Sequence, residues 1–290
     1  LLARVGVSIG EAGGSPPSHS MISDIFDRNE RATALSIYST GINFGGLLGF
    51  LLGGWIAQYF GWRWAFFVVG IPGLIYALLL RFTVREPPRG FAEKIVVVED
   101  PPTMLEVARI LLQRRTFRHM ALASGLHAFI GYGAANFAPL FWTQNHGLTL
   151  GILGTWSAIW GIFGALGTFL GGVVTDRMIG RDLRWYLWIP ALSTIFTLPF
   201  SLAIYTISHT GFVLFLAFVP AISFSMYLAP NLALAHSLVG LRMRAMASAV
   251  LFFILNIIGL GLGPLVVGMV SDFLEPMVGN DNVRYALILV

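Results

Sequence analysis

The sequence predicts an all-α membrane protein, because its composition is too apolar for a soluble domain and apolar runs of spanning length recur along it. Of the 290 residues, 56% are hydrophobic and 11% are charged, whereas soluble domains carry about 25% charged residues. The mean hydropathy is +0.77. A helix needs roughly 20 apolar residues to cross the hydrocarbon core of a bilayer. Runs of that length cover residues 1–23, 33–57, 62–82, 120–142, 150–174, 185–207, 212–235 and 246–273, and a further run opens at 285.

The connections between these runs are short, with one exception that divides the chain. Helices are predicted for the runs because a helix satisfies its own backbone hydrogen bonds in lipid. The long connection contains four prolines, at 87, 88, 101 and 102. We therefore expect residues 1–83 to be the second part of an N-terminal bundle, 84–118 a cytoplasmic linker, and 119–290 a C-terminal bundle with a truncated last helix.

The linker contains a sequence pattern that starts helices. Thr103 is followed three residues later by Glu106, and the apolar segment 104–112 follows. Thr and Glu at this spacing form a capping box, in which each side chain bonds the backbone N–H of the other residue. The pattern predicts a short amphipathic helix at the membrane surface. The alternative is an ordinary linker helix with no separate role.

Basic residues alternate between loops and so predict the orientation of the chain. Loops 24–32, 81–118, 176–184 and 242–244 hold 15 of the 18 Lys and Arg residues, and the intervening loops hold two. The basic loops are therefore predicted to be cytoplasmic. The net charge of +4 then reflects loops that face anionic lipid. A nucleic-acid partner is not expected.

The two ends of the chain resemble each other when one is shifted by 213 residues. Nine positions between 17 and 60 are then identical to their counterparts, among them Pro17 with Pro230, Arg31 with Arg244 and Asn43 with Asn256. Both copies have the same predicted orientation, which indicates a parallel repeat of two six-helix bundles. By this register the visible helices are the fourth to the eleventh and the start of the twelfth. About 95 residues with three helices are expected before Leu1.

Four local motifs resemble the major facilitator superfamily, and within it the Spinster-type transporters. They occur in the expected order on the expected helices and loops, and together they span the chain. The motifs are RVGVSIGEA at 4–12, GWR at 61–63 with GIPG at 70–73, EPPRG at 86–90, and GVVTDR at 172–177 with Gly180-Arg181.

The resemblance implies a secondary active transporter that works by alternating access in a bacterial inner membrane. It implies amphipathic, lipid-like substrates such as lysophospholipids or sphingoid phosphates, proton coupling, contact with membrane lipids, and a monomer. The alternative is a general permease or an exporter of drugs or organic anions. Two departures are present: the glycine-rich fifth helix lacks the proline of the family's Gly-Pro pair, which leaves symport and antiport open, and Ile179 is an extra residue in the loop motif.

Among the Asp, Glu, Lys and Arg residues, two lie well within a predicted span, and both are in the fourth helix. Arg4 and Glu11 are seven residues apart, which places them on one face of a helix, about 10 Å apart along its axis. Intramembrane charges are costly, so such residues are functional candidates. We expect Glu11 to gain and lose a proton and Arg4 to attract an anionic headgroup, and the resemblance assigns the same pair. The alternatives are a snorkelling Arg4 and a neutral, hydrogen-bonded Glu11.

The seventh helix carries three polar residues that need partners in a dry bundle, His127, Tyr132 and Asn136. We expect them to line the substrate cavity opposite the fourth helix. The alternative for His127 is an interhelical hydrogen bond without a role in proton transfer. Trp156, Trp160 and Tyr227 are expected to be packing or interfacial aromatic residues.

Charged residues at the cytoplasmic ends of four helices suggest a gate. Asp176 and Arg177 lie in the loop motif, and an Asp near the positive N-terminal end of the fifth helix would favour the inward-closed state. The expected gating residues are Arg31, Asp176, Arg177, Arg181 and Arg244.

Other function classes lack a sequence signal. No metalloprotease, serine-hydrolase or nucleotide-binding motif is present, so we expect no enzyme activity, no cofactor and no metal. A channel would require a polar ring or filter, and none is evident.

Overall fold

The computed structural model describes residues 14–26, 31–84, 103–240 and 243–290, and every regular element in those ranges is helical. From residue 31 onwards the bounds of the helices agree with the predicted runs to within about five residues, apart from the interruptions described below; most of the first predicted run, residues 1–13, lies outside the described residues. The α-helices are α1 (Ser15–Ile25), α2 (Arg31–Phe60), α3 (Trp62–Thr83), α4 (Met104–Gln113), α5 (Arg115–His146), α6 (Leu150–Ile179), α7 (Trp185–Thr206), α8 (Thr210–Leu216), α9 (Phe218–Phe224), α10 (Leu228–Ser237), α11 (Arg244–Leu255), α12 (Gly263–Val278) and α13 (Asn282–Leu289).

Five helical segments within the described ranges are long and apolar enough to cross a membrane, as the composition predicts. Helix α3 buries none of its residues against the rest of the chain, so its apolar surface suits a lipid environment. The five segments are Trp62–Thr83, Leu150–Ile179, Trp185–Thr206, Thr210–Ser237 and Arg244–Leu289.

The segment Thr210–Ser237, called the interrupted helix from here on, is not the single span that hydropathy predicts. It consists of α8, α9, a 3-10 turn at Ser225–Tyr227 and α10. Two prolines explain the breaks, because a proline has no N–H and its ring clashes with the carbonyl four residues earlier. Pro220 cannot donate to the carbonyl of Leu216, where α8 ends. Pro230 likewise cannot donate to the carbonyl of Met226, which lies within the 3-10 turn.

The predicted eleventh helix also changes its hydrogen-bond pattern. A π-helical segment, Asn256–Leu262, joins α11 to α12, and Pro264 follows it at the start of α12. The glycines of this region allow a close crossing with α5. A Cβ atom at Gly263 would lie 2.5 Å from the Phe129 carbonyl oxygen, and one at Gly259 would lie 2.7 Å from the Ala128 Cβ. Small residues thus bring two backbones into contact.

The linker helix α4 forms as the sequence predicts and packs under the C-terminal helices. The Thr103 N–H donates to Glu106 Oε2 at 2.8 Å, and the Glu106 N–H donates to Thr103 Oγ1 at 3.4 Å. The hydrogen bond from the Thr103 backbone lowers the pKa of Glu106. Val107 and Leu111 are fully buried, in a cluster with Phe117 of α5 and Leu251 of α11. Protein therefore covers Val107 and Leu111, whereas Met104, Leu105 and Leu112 of the same helix are exposed.

The closest backbone approach in the C-terminal part lies between α6 and the interrupted helix. A Cβ at Gly167 would overlap the Ile222 carbonyl oxygen, and a Cβ at Gly171 would lie 2.5 Å from the Met226 carbonyl oxygen. By contrast, a Cβ at Gly268 of α12 would make only an ordinary contact, 3.4 Å from Phe137 Cζ.

We expect Gly167→Ala to destabilise the protein by about 1–3 kcal/mol, because the new methyl group must push the backbone of the interrupted helix away. Gly268→Ala is the matched control and should be neutral or slightly stabilising, since alanine favours a helix over glycine. Thermal unfolding in detergent measures both. Equal midpoints for Gly167→Ala and the unsubstituted protein would contradict the close contact.

Candidate functional site

Three of the predicted substrate-site residues, His127, Tyr132 and Asn136, lie on α5, the predicted seventh helix. Arg4 and Glu11 lie outside the described residues, and so does the side chain of Arg31. The roles of Arg4, Glu11 and Arg31 stay predictions.

His127 lies inside the C-terminal part, between α5, α7 and the interrupted helix. Its side chain is buried. Nε2 lies 3.0 Å from the Phe224 carbonyl oxygen, and Nδ1 lies 3.0 Å from Thr194 Oγ1. The imidazole stacks on the Phe224 ring at a centroid distance of 3.7 Å. Both nitrogens therefore have protein partners.

Tyr132 and Asn136 share an exposed face of α5 that differs from the face of His127. They are four residues apart, one turn of helix. Tyr132 is 40% exposed, and the Asn136 side-chain amide donates to the Tyr132 carbonyl oxygen at 2.8 Å. The structure brings these two residues together and does not group His127 with them.

Polar side chains from α5, α6 and α7 contact the interrupted helix around its 3-10 turn, a feature that sequence reasoning missed. Besides His127, the Thr168 hydroxyl of α6 lies 3.4 Å from the Ser225 carbonyl oxygen and 3.1 Å from the Gly164 carbonyl oxygen of its own helix, which share its one hydrogen. Thr197 of α7 and Ser223 share a hydrogen bond of 2.6 Å between their hydroxyls. The two prolines of this span were the sequence signal for irregular backbone that needs such donors.

An aromatic cluster lies between α5, α6 and the first half of the interrupted helix. Trp160 stacks near Trp142 at 5.3 Å between ring centroids, and Phe163 lies 4.5 Å from Phe218. Trp160 Nε1 donates to the Leu214 carbonyl oxygen at 3.1 Å. The cluster continues through Trp156, 5.7 Å from Phe215. It forms an apolar wall in the predicted outer half of the C-terminal part.

Polar residues at the predicted outer ends of α5, α7 and α13 surround a cavity of about 230 Å³. Asn145 Nδ2 donates to Asp281 Oδ1 at 2.7 Å. Arg284 donates from Nε to the Tyr205 carbonyl oxygen at 2.5 Å and from Nη2 to that of Thr206 at 2.9 Å. These carbonyls belong to the last turn of α7, so Arg284 caps that helix. The sequence showed Arg284 only as a loop charge.

The residues of the predicted gate lie at those ends of their helices that the charge pattern predicts to be cytoplasmic. Asp176 is partly buried, and its Oδ2 atom has no hydrogen-bond partner among the described residues. Arg177 and Arg181 are exposed. Arg244, at the start of α11, is buried.

The two halves of the chain meet along α2 and α6. A Cβ at Gly154 would lie 2.6 Å from the Phe50 carbonyl oxygen, and one at Gly54 would lie 3.1 Å from that of Leu150. Two side chains of α2 add polar contacts: Trp55 Nε1 donates to Thr155 Oγ1 at 3.2 Å, and Gln58 Oε1 accepts from the Gly151 N–H at 3.0 Å. The crossing is thus mainly backbone against backbone.

The part of the chain that the structure describes contains no group of three or more His, Cys, Asp or Glu side chains that could hold a metal ion.

Comparisons with known proteins identify relatives over the whole chain. The profile of the Major Facilitator Superfamily matches residues 1–271. An MFS-type efflux pump of Mycolicibacterium smegmatis is 34% identical over 291 residues, which cover 100% of this chain and 66% of the pump. Protein spinster homolog 1 of Homo sapiens is 33% identical over 144 residues, 49% of this chain and 27% of that protein. The sphingosine-1-phosphate transporter SPNS2 of Xenopus tropicalis is 31% identical over 142 residues, 49% of this chain and 27% of that protein.

A solved structure supports the same relationship. The crystal structure of a bacterial homolog to the human lysosomal transporter Spinster, in an inward-facing and unoccupied conformation, superposes with a TM-score of 0.76 at 27% identity. The match covers 99% of this chain and 73% of that one. The chain thus spans about two thirds of the efflux pump and about a quarter of the two spinster proteins. The helical fold and the family match over residues 1–271 establish that the chain belongs to the major facilitator superfamily, as a multi-pass membrane protein with Spinster-type proteins among its relatives.

Proposed function

We propose that this transporter moves an amphipathic, lipid-like solute with an anionic headgroup by alternating access, and that proton movement drives it. The observation that carries the proposal is the crossing of α2 and α6. Alternating access requires two bundles to rock against each other, and glycines at a crossing remove the side chains that would interlock.

The amphipathic nature of the solute is supported by two surfaces of the C-terminal part. The aromatic wall around Trp156 and Trp160 offers an apolar surface, and Tyr132 and Asn136 offer hydroxyl and amide groups on an exposed face of α5. A binding site with large apolar walls and a few polar groups suits a ligand with an apolar tail and a polar head.

The predicted intramembrane pair supplies the charge chemistry of the proposal. Arg4 would attract the anionic head, and Glu11 would carry the proton, because a carboxyl group surrounded by lipid or protein favours its neutral form until water reaches it. The sphingosine-1-phosphate transporter among the relatives supports a lipid-like solute.

A second candidate is export of drugs or other small organic solutes. One relative that aligns with the whole chain is an MFS-type efflux pump, and an aromatic wall also suits flat apolar drugs. Transport measurements on both classes of solute separate the two candidates.

We expect purified protein in proteoliposomes to take up a fluorescent lysophospholipid faster than empty vesicles do when a proton gradient is applied. The comparison panel contains ethidium and a small carboxylate such as benzoate. Uptake of ethidium alone would favour the efflux candidate, and uptake of benzoate alone would contradict an amphipathic solute.

Glu11→Gln should abolish the pH dependence of lysophospholipid uptake, because glutamine keeps the shape of the side chain but cannot gain or lose a proton. Glu275→Gln is the control, since Glu275 is an exposed acid at the far end of α12. Uptake rates from pH 5 to pH 8 measure the effect. A wild-type pH profile for Glu11→Gln would remove Glu11 from the proton pathway.

Asp176→Asn should weaken the inward-closed state by about two- to fivefold in population, the size of one charge near a helix end. The chain contains no cysteine, so Leu140→Cys on the exposed outer face of α5 gives a single reporter for an impermeant maleimide. Labelling from outside should fall when Asp176→Asn is added, but not with Asp182→Asn, an exposed acid of the same loop. Unchanged labelling with Asp176→Asn would contradict the gate.

A further inference from the structure

We propose that His127 is a positioning residue for transport: it holds the interrupted helix in its broken form and so fixes Phe224 and Tyr227 against α5. Only the transport measurements below rest on the proposed function.

The break leaves one carbonyl group without its helical donor. Pro230 cannot donate to the Met226 carbonyl, and the backbone just before it forms a 3-10 turn at Ser225–Tyr227. A buried carbonyl without a donor costs about 1–3 kcal/mol. Side chains of neighbouring helices that bond the backbone at this turn therefore stabilise its irregular form.

His127 bonds the backbone at the start of this turn. The Phe224 carbonyl, which directly precedes the turn, accepts from His127 of α5 at 3.0 Å. On the other side, the Thr168 hydroxyl of α6 lies 3.4 Å from the Ser225 carbonyl oxygen and 3.1 Å from the Gly164 carbonyl oxygen of its own helix, so its one hydrogen is shared between them. His127 is therefore the stronger of the two side-chain donors at the turn.

The ring of Phe224 sits in a space formed by α5. The His127 imidazole stacks on it at 3.7 Å, and the missing side chain of Gly131 provides room, because a Cβ there would lie 2.8 Å from Phe224 Cε1. The Tyr227 ring lies 4.0 Å from the imidazole on the next turn. His127 therefore contacts both aromatic residues that flank the 3-10 turn.

The partners of the imidazole determine where its proton lies. A carbonyl oxygen accepts only, so Nε2 must carry hydrogen to bond Phe224. In the neutral ring Nδ1 then accepts from the Thr194 hydroxyl, which also lies 2.8 Å from the Pro190 carbonyl oxygen. The bond to the Phe224 carbonyl thus requires a donor on the side chain of residue 127. The bond to Thr194 is less important, because the Thr194 hydroxyl can donate to the Pro190 carbonyl instead.

A direct contact with substrate does not fit this arrangement. The side chain is 6% exposed, and both ring nitrogens are already in hydrogen bonds with protein atoms. An effect of His127 on transport must act through the interrupted helix.

Two variants of His127 differ in whether the side chain can still donate a hydrogen bond to the Phe224 carbonyl. His127→Gln keeps an N–H near the position of Nε2, whereas His127→Leu removes it. We expect His127→Leu to lower the maximal rate of lysophospholipid uptake about tenfold with KM nearly unchanged, and His127→Gln to retain most of the rate with a normal pH profile. Thr194→Val should have a smaller effect than His127→Leu.

Other outcomes overturn the proposal. A raised KM in both His127 variants would indicate a substrate contact, and loss of pH dependence in His127→Gln would indicate a proton carrier. Two measurements need no substrate, and the first of them needs no variant. Nitrogen NMR of the intact protein, labelled at histidine, should show His127 as the neutral Nε2–H form, and an Nδ1–H form would overturn the proposal.

Spin labels provide the second substrate-independent measurement. Labels at Phe212→Cys and Ile152→Cys should give a narrow distance distribution that broadens or shifts with His127→Leu and recovers with His127→Gln. The pair Leu202→Cys and Ile152→Cys, on α7 and α6, is the control and should not change. An unchanged Phe212–Ile152 distribution in His127→Leu would show that the break does not depend on His127.

Discussion

Glycine residues allow helix backbones to touch in this protein. Both the crossing of α2 with α6 and the packing of the interrupted helix depend on that contact. Lipid chains are as apolar as the helices they surround, so the hydrophobic effect does not drive helices together, and close packing must do so. Helix α6 is the clearest case. Gly154 meets α2 on one face, and Gly167 and Gly171 meet the interrupted helix on another. The same helix therefore joins the two halves of the chain and supports the broken segment.

Close approach also makes the hydrogen bonds at the break possible. Thr168 lies between Gly167 and Gly171 along α6, and its hydroxyl comes within 3.4 Å of the Ser225 carbonyl oxygen because no side chain separates the two backbones. On the opposite side, Gly131 leaves the space in which the Phe224 ring packs. Irregular backbone is tolerated at membrane depth where protein groups bond it, and His127 supplies such a group at the Phe224 carbonyl. In transporters such discontinuous helices commonly lie beside the substrate path.

Much of the fold was predictable from hydropathy and charge, since long apolar runs in lipid have few alternatives to helices. The capping box at Thr103 was predictable for a similar reason, because it depends only on residues close in sequence. The breaks of the interrupted helix were not predicted, although Pro220 and Pro230 announce them, because a hydropathy average does not register a missing N–H. The start of α5 at Arg115, four residues before the predicted His119, reflects a helix that continues past the apolar run into the interface.

The candidate site was predictable only in part. A histidine within an apolar helix is conspicuous in the sequence, so His127 could be singled out. The direction of the His127 side chain, however, depends on Thr194 and Phe224, which are 67 and 97 residues away in sequence. The outer cluster around Asp281 and Arg284 was missed because three separate helix ends form it. No periodicity or spacing within one segment indicates such a group.

The central claim is that the two halves rock about the crossing of α2 and α6. Distances between spin labels at both ends of the halves test it most directly. One pair, Phe82→Cys with Leu183→Cys, reports the predicted cytoplasmic ends, and the other, Trp62→Cys with Met277→Cys, reports the outer ends; all four positions are exposed. On changing from pH 8 to pH 5 we expect one distance to lengthen as the other shortens. Distances that stay fixed at both ends, or that change in the same direction, would contradict the account.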